Sequence, residues 1–258
     1  MSQFHDMNLL DYFDRISIIH LKERADRYRE LARELRRLGI EITHGKVCIP
    51  DAPMPSEASG FPDKGTYGNF LSHLEILKSA QRDGLQSVWV LEDDAIFSHR
   101  FVREQHKIAE FLSRSQWDIC FFGHTLTKQL DALEVGLPRF HGPFLWAHCY
   151  AVHGRILPRL IAYLEETRHR TSRHPHEDRM YIDHAYNLFR KFNPDVITLV
   201  GNPVLSVQSS SQSSLGDLRW YKRHPLARPV VKLTFAIRDE FWRWTDLFFT
   251  FRSGRSGR

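Results

Sequence analysis

Three consecutive carboxylates, Glu92, Asp93 and Asp94, follow the apolar run Val88 to Leu91 in the stretch SVWVLEDDAIFSH. Like charges this close repel one another, and a fold tolerates them best where water or a cation screens them. In a fully extended strand Glu92 and Asp94 would share one face and Asp93 would take the other. A hard divalent cation would then be gripped by Asp94 directly, or by Asp93 and Asp94 if the chain turns there. The alternative is the solvated end of a buried strand. Upstream, His73 follows Ser72 in a helical pattern, where it either bonds a ligand or satisfies polar groups at its own helix. A denser set, His169, His174, His176, Glu177, Asp178 and His184, matches no common zinc spacing. It reads as a solvated loop, with phosphate or acceptor contacts from Arg170 or Arg173 as the other reading.

The elements that must position these groups alternate. RISIIHL (15–21) is a β-branched run expected to be a first buried strand. The segment after it places Ala25, Tyr28, Ala32, Leu35 and Leu38 on one helical stripe, with Gly39 as its stop. A second helix is expected in GTYGNFLSHLEILKSAQRDG, with Asn69 as N-cap, Phe70, Leu74 and Leu77 inward and Gly84 closing it. Val88 to Leu91 form the strand that ends in the carboxylates. A helix near Arg100 to Ser113, strands at 118–123 and 143–152, helices near Arg155 to Glu166 and in RMYIDHAYNLFRKF, and a β segment at 195–201 follow. This alternation predicts an α/β sandwich with a largely parallel sheet. In such sheets ligands bind beyond the carboxyl ends of the strands, where the three carboxylates lie.

Composition narrows the classes. With 258 residues and 42% hydrophobic content the chain can bury a substantial core. Its net charge of +5 is concentrated in residues 218–258, which hold 10 Lys+Arg against 3 Asp+Glu, leaving 1–217 slightly acidic. That distribution argues against a nucleic-acid-binding domain body. Cys48, Cys120 and Cys149 form no CxxC pair and are expected to be buried thiols. Neither a signal-peptide pattern nor an apolar run of membrane-spanning length is present, so a cytoplasmic location is expected.

The stretch GNFLSHLEILKSAQRDGLQSVWVLEDDAIF resembles glycosyltransferase family 25, which includes bacterial lipopolysaccharide and collagen galactosyltransferases: a Gly, then Ser-His at the head of a helix, then an apolar strand ending in Glu-Asp-Asp. ISIIHLKERADRYREL is similar to the family's opening strand and helix, with Arg27 at its recurrent Arg. WDICFFG and AHCYAVHGRILPRLI resemble later core segments, YIDHAY carries Asp183 where the family has an Asp, and PVLSVQSSSQSSL is similar to its closing stretch, with Gln208. The likeness covers roughly residues 15–215. The chain departs from the pattern at His20, at Asn69 and Phe70, and in the loop CIPDAPMPSEASGFPD.

The resemblance implies a GT-A-like, Rossmann-type sandwich that binds a nucleotide-sugar donor, UDP-linked, with Mn²⁺ or Mg²⁺. A metal anchored by carboxylates neutralises the charge gathering on a departing diphosphate. Asp94 is the first metal ligand on this reading and Asp93 a second. Arg27, Ser72, His73, Glu92, Asp93 and Gln208 are the nucleotide-sugar-binding set. The family inverts at the sugar carbon, which requires a general base; Asp183 is the candidate, or else a carboxylate that holds its own helix. The implied activity moves a hexose such as galactose to a saccharide or lipid-linked acceptor of an envelope glycan of lipopolysaccharide type. A non-catalytic, membrane-associated scaffold is the alternative.

Residues 1–217 would form the glycosyltransferase domain and 218–258 a basic aromatic tail. Val230, Leu233, Ile237, Phe241, Trp244, Phe248 and Phe251 recur at steps of three or four, so a C-terminal amphipathic helix is expected. It would pack on the domain or dock, through residues 230–252, on an anionic membrane such as the inner membrane.

Overall fold

The computed structural model describes residues 7–126, 136–169 and 181–209. The apolar run expected to be a first strand forms β1 (Arg15–Ile19), preceded by the short helix α1 (Leu9–Tyr12) and followed by α2 (Ala25–Arg37). After β2 (Val47–Cys48) come α3 (Lys64–Arg82), β3 (Ser87–Glu92), β4 (Ala95–Phe97) and α4 (His99–Arg114). Next are β5 (Ile119–Leu126), β6 (Phe144–His153), α5 (Leu157–His169), α6 (Ile182–Phe192), β7 (Thr198–Val200) and β8 (Ser206–Gln208).

One eight-stranded sheet runs β2-β1-β3-β6-β5-β8-β4, with β7 on β5. The α/β class is as expected, but the sheet is mixed rather than mostly parallel. β1 pairs in parallel with β2 and β3, whereas β6 is antiparallel to both β3 and β5. The physical reason lies in the link into β6. A parallel neighbour needs a crossover long enough to traverse the sheet, usually a helix. The described part of that link, 136–143, instead contains bridges from Gly136 to Asn202 and Arg139 to Leu199.

β3 is covered on both faces, which is why it reads as an unbroken apolar run. Val88 and Val90 join a core with Leu74 and Leu77 of α3, Leu160 of α5 and Phe189 of α6. Trp89 and Leu91 point the other way, into a core with Leu31 and Leu35 of α2 and Phe101 and Ile108 of α4. This alternation sends the next side chains, Glu92 and Asp93, towards different helices.

The helix ends explain two further differences. α3 starts at Lys64 because Asp63 caps it, accepting the Thr66 N–H at 2.8 Å. Asn69 is therefore inside the helix rather than its N-cap, and its amide is released for another use. Gly39 and Gly84 end their helices with φ of 76° and 66°, as expected of glycines in that role. On α2 the buried positions are Arg27, Leu31, Ala32, Glu34 and Leu35, while Ala25 is exposed. The stripe is rotated because its inward face covers a polar sheet end: Glu34 accepts the Phe97 N–H at 3.0 Å.

Cys120 and Cys149 are buried, but Cys48 is exposed on the edge strand β2. No helix among the described residues is long and apolar enough to cross a membrane. The domain boundary at 217/218, the amphipathic tail and the histidine-rich loop from 170 to 178 lie outside the described residues.

Candidate functional site

β1 and β3 are parallel, with Ile19 opposite Glu92, so both release their next residues at one end of the sheet. A cavity of about 350 Å³ opens there. Its walls come from the strand ends (His20, Glu92, Asp93, Asp94, Gln208), from α2 and its approach (Arg24, Arg27), from α3 (Lys64, Gly68, Asn69, Ser72) and from Ala52–Pro55. The loop that departs from the family pattern thus closes one side. Gly68 permits this approach, because a Cβ there would lie 2.9 Å from the Pro53 carbonyl oxygen.

The strand stops at Glu92, and Asp93 and Asp94 form the turn into β4. The turning alternative is therefore the one adopted, and the two aspartates converge. Arg27 Nη1 lies 2.9 Å from Asp93 Oδ1 and 3.2 Å from Asp94 Oδ2, with all three side chains at least nine-tenths buried. His20 Nδ1 contacts the other Asp93 oxygen at 2.8 Å. Asp93 is thereby held on both oxygens and serves as a structural counter-ion in this arrangement. Asp94 is different: its Oδ1 is buried without a hydrogen-bond partner. Burial, then the neighbouring Glu92 charge, pushes its carboxyl up to about 7 against the opposing pull of Arg27.

Glu92 faces α3. Its Oε1 accepts from Asn69 Nδ2 at 3.0 Å and meets His73 Nε2 at 3.3 Å, while Oε2 accepts from Gln208 Nε2 at 3.0 Å. Burial works against its charge, but the hydrogen bonds from His73 and from the Asn69 amide hold its carboxyl down to about 2. Behind it runs a buried chain: Tyr186 Oη donates to Tyr150 Oη at 2.8 Å, and Tyr150 Oη lies 2.8 Å from His73 Nδ1. With Tyr150 donating to Nδ1, His73 presents Nε2–H to Glu92, so every group in the line is satisfied.

The expected site residues separate into groups. Arg27, Ser72, Glu92, Asp93, Asp94 and Gln208 all line the cavity. Ser72 donates its hydroxyl to the Gly68 carbonyl at 2.8 Å, so its proton is committed within the helix while its oxygen can still accept. His73 is fully buried and acts through Glu92. Asp183 is not among the lining residues: its Oδ2 accepts the Trp146 N–H at 2.9 Å and its Oδ1 the His184 N–H at 2.8 Å. Sequence reasoning did not assign Asn69, Tyr150 and Tyr186. The spacing of Asn69 and His73, one helical turn apart, was the signal for the first; the tyrosines come from distant elements and left none.

A divalent cation fits this donor set in one way. Among the described residues no group of three or more His, Cys, Asp or Glu is arranged to hold a metal. Mg²⁺-type ions, however, bind through one or two carboxylates with the remaining positions filled by phosphate and water. The unpartnered Asp94 Oδ1 suits that mode, and Asp93, already held twice, does not need to join it.

No family model matches the chain. Over 144 residues it is 30% identical to procollagen galactosyltransferase 2 of Mus musculus, covering 49% of this chain and 23% of that protein. It is 26% identical over 173 residues to inactive glycosyltransferase 25 family member 3 of Homo sapiens, covering 58% of this chain and 29% of that one. The chain therefore spans about a quarter of the length of these curated relatives. A solved structure of a glycosyltransferase involved in glycosylation of the major capsid of PBCV-1 aligns at 13% identity and a TM-score of 0.42, over 77% of this chain and 94% of that one. The chain is similar to glycosyltransferase 25 family proteins, as the motif resemblance implied, though over about half its length rather than the whole of residues 15–215.

Proposed function

We propose that this chain is a metal-dependent glycosyltransferase that moves a hexose from a UDP-sugar to a saccharide acceptor, on a GT-A-like scaffold. The observation that supports it best is the pairing, in one cavity at the carboxyl end of β3, of a buried carboxylate with an unpartnered oxygen, Asp94, and a firmly ionised one, Glu92. Arg27 holds Asp94 Oδ2 from one side and leaves the buried Oδ1 without a hydrogen-bond partner. Lys64 and Arg24, also in the lining, favour an anionic ligand such as a diphosphate. Glu92, braced by Asn69, His73 and Gln208, can accept a hydrogen bond from a hydroxyl of the sugar or ribose part of the donor. The Ala52–Pro55 loop, seated on Gly68, limits water at that wall. A Mn²⁺ or Mg²⁺ held by Asp94 would supply charge neutralisation on the departing diphosphate.

An envelope-glycan acceptor of lipopolysaccharide type, and a cytoplasmic enzyme peripheral on the inner membrane through residues 230–252, complete the proposal. The cationic, aromatic composition of that tail supports the membrane part. The competing reading is a non-catalytic, membrane-associated scaffold, favoured by the similarity to a family member named inactive.

The test is thermal-shift screening of UDP, GDP and CMP sugars with and without Mn²⁺, on the wild type and Asp94→Ala. The proposal expects metal-dependent stabilisation by UDP-sugar that the variant lacks. No nucleotide giving metal-dependent stabilisation would refute it. Nucleotide binding without transfer to any of a saccharide panel would favour the scaffold.

A further inference from the structure

A second feature stands at the same end of the sheet but outside the cavity lining. On β6, Leu145 and Trp146 are neighbours in sequence, yet both are exposed, at 53% and 45%. Successive residues of a regular strand face opposite sides. Trp146 breaks the pattern with φ of 68°, a left-handed backbone that bulky side chains rarely adopt.

α6 maintains this conformation. Asp183, Asn187 and Arg190 lie on one helical face and hold the backbone between 140 and 146. Asp183 Oδ2 accepts the Trp146 N–H at 2.9 Å. Asn187 accepts the Phe144 N–H at 3.2 Å and donates to the Phe144 carbonyl at 2.6 Å. Arg190 donates to the carbonyls of Phe140 at 2.7 Å and Gly142 at 3.1 Å. A polar helix face is thus committed to fixing an unfavourable backbone whose product is an exposed indole.

The register says where that indole lies. Leu91 is opposite Cys149 in the antiparallel pair of β3 and β6. Trp146 is three residues from Cys149, in the direction in which Glu92, Asp93 and Asp94 follow Leu91, or about 10 Å of strand. Tyr181, 52% exposed, is the N-cap of α6, two residues before Asp183. An aromatic face carries a negative quadrupole and an apolar area, which suits the C–H face of a pyranose ring while the sugar's hydroxyls stay in water.

We propose that Trp146, fixed by Asp183, is a stacking platform for the saccharide acceptor, next to the donor cavity. This rests on the glycosyltransferase reading of that cavity. Asp183 is then a positioning residue acting through the Trp146 backbone.

The test uses the full chain and two probes, lactose for the acceptor side and UDP-galactose with Mn²⁺ for the donor side. Saturation-transfer NMR reads lactose affinity, and thermal shift reads the donor. Trp146→Ala is expected to weaken lactose binding about five-fold or more while leaving the donor-induced shift unchanged, and Trp146→Phe to keep most of the affinity. Asp183→Asn, whose amide oxygen still accepts the Trp146 N–H, should retain lactose binding, whereas Asp183→Ala should lose it along with Trp146→Ala. Lactose affinity unchanged in Trp146→Ala, or no lactose binding to a wild type that binds UDP-galactose, overturns the platform alone. Equal loss of both probes in Trp146→Phe, a variant that keeps the aromatic ring, also overturns it. Failure of UDP-galactose to bind the wild type sinks the donor reading on which it rests.

Discussion

Replacing Arg27 by Met keeps the hydrocarbon stem and removes a guanidinium that contacts both turn aspartates. Its Nη1 lies 2.9 Å from Asp93 and 3.2 Å from Asp94, and none of the three side chains is more than 9% exposed. At an effective dielectric of about 20, each contact is worth on the order of 5 kcal/mol of gross attraction, most of which offsets the desolvation of the ions. What a variant reveals is the charge left behind, and breaking a buried pair costs about 3–5 kcal/mol. Asp93 keeps His20, so the cost falls mainly on Asp94. That carboxyl, raised to about 7 by burial and Glu92, is held from rising further by Arg27. Without Arg27 it rises further, so at pH 6 it escapes the penalty by staying protonated, and at pH 8 it does so less. The expected loss is therefore about 1 kcal/mol at pH 6 and larger, up to roughly 3 kcal/mol, at pH 8.

Urea denaturation followed by circular dichroism at both pH values measures this, with an unchanged m-value as the check on two-state behaviour. Adding Asp93→Asn to Arg27→Met should cost less than the sum of the two single changes. A loss below about 1 kcal/mol at both pH values, or a loss that shrinks from pH 6 to pH 8, would refute the assignment of Arg27 as the counter-ion of the turn.

The remaining predictions concern the groups around that turn. His148 is fully buried and burial brings its pKa down to about 4, with Glu92 opposing. The unfolded chain takes up its proton first, so the stability is complete above the ordinary value of 6.5 and declines by roughly 3 kcal/mol as pH falls towards 4. His148→Asn should flatten that part of a urea-midpoint profile, and an identical slope in the variant would count against it. Gly123→Ala sets a Cβ 2.3 Å from His148 Nε2, so it should destabilise by about 1–3 kcal/mol, measured by the same titration. Tyr186→Phe removes the donor at the head of the line to Glu92 and should cost about 1 kcal/mol of stability. Glu92→Gln in the same assay should cost more, since the acceptor of three side chains is altered.

Much of the site was legible before any fold was known. An apolar run ending in carboxylates announces a buried strand with a polar end, because burial on both faces removes alternation and the charges must sit where strand pairing stops. Arg27, Ser72, Glu92, Asp93, Asp94 and Gln208 do meet at one cavity. The motif order alone placed them together. What local pattern does not encode is direction and division of labour. Nothing in the composition of β6 says which way it runs, since strand propensity is the same in both directions; its insertion between β3 and β5, together with the antiparallel β4–β8 pair, makes the sheet mixed. The stop of β3 at Glu92 likewise depends on the turn that follows, which sends Glu92 to His73 on one side and Asp93 to Arg27 on the other.

By itself the sequence determined the α/β class, the strand that carries the carboxylates and the residues that gather at its end, because periodicity and caps act over a few residues. Only the tertiary structure decided which carboxylate is neutralised, which is braced and which keeps an unpartnered oxygen, and that Asp183 supports Trp146 from outside the cavity. Those roles follow from burial and from partners separated by tens of residues in the chain, and charge in a folded protein answers to distance through space.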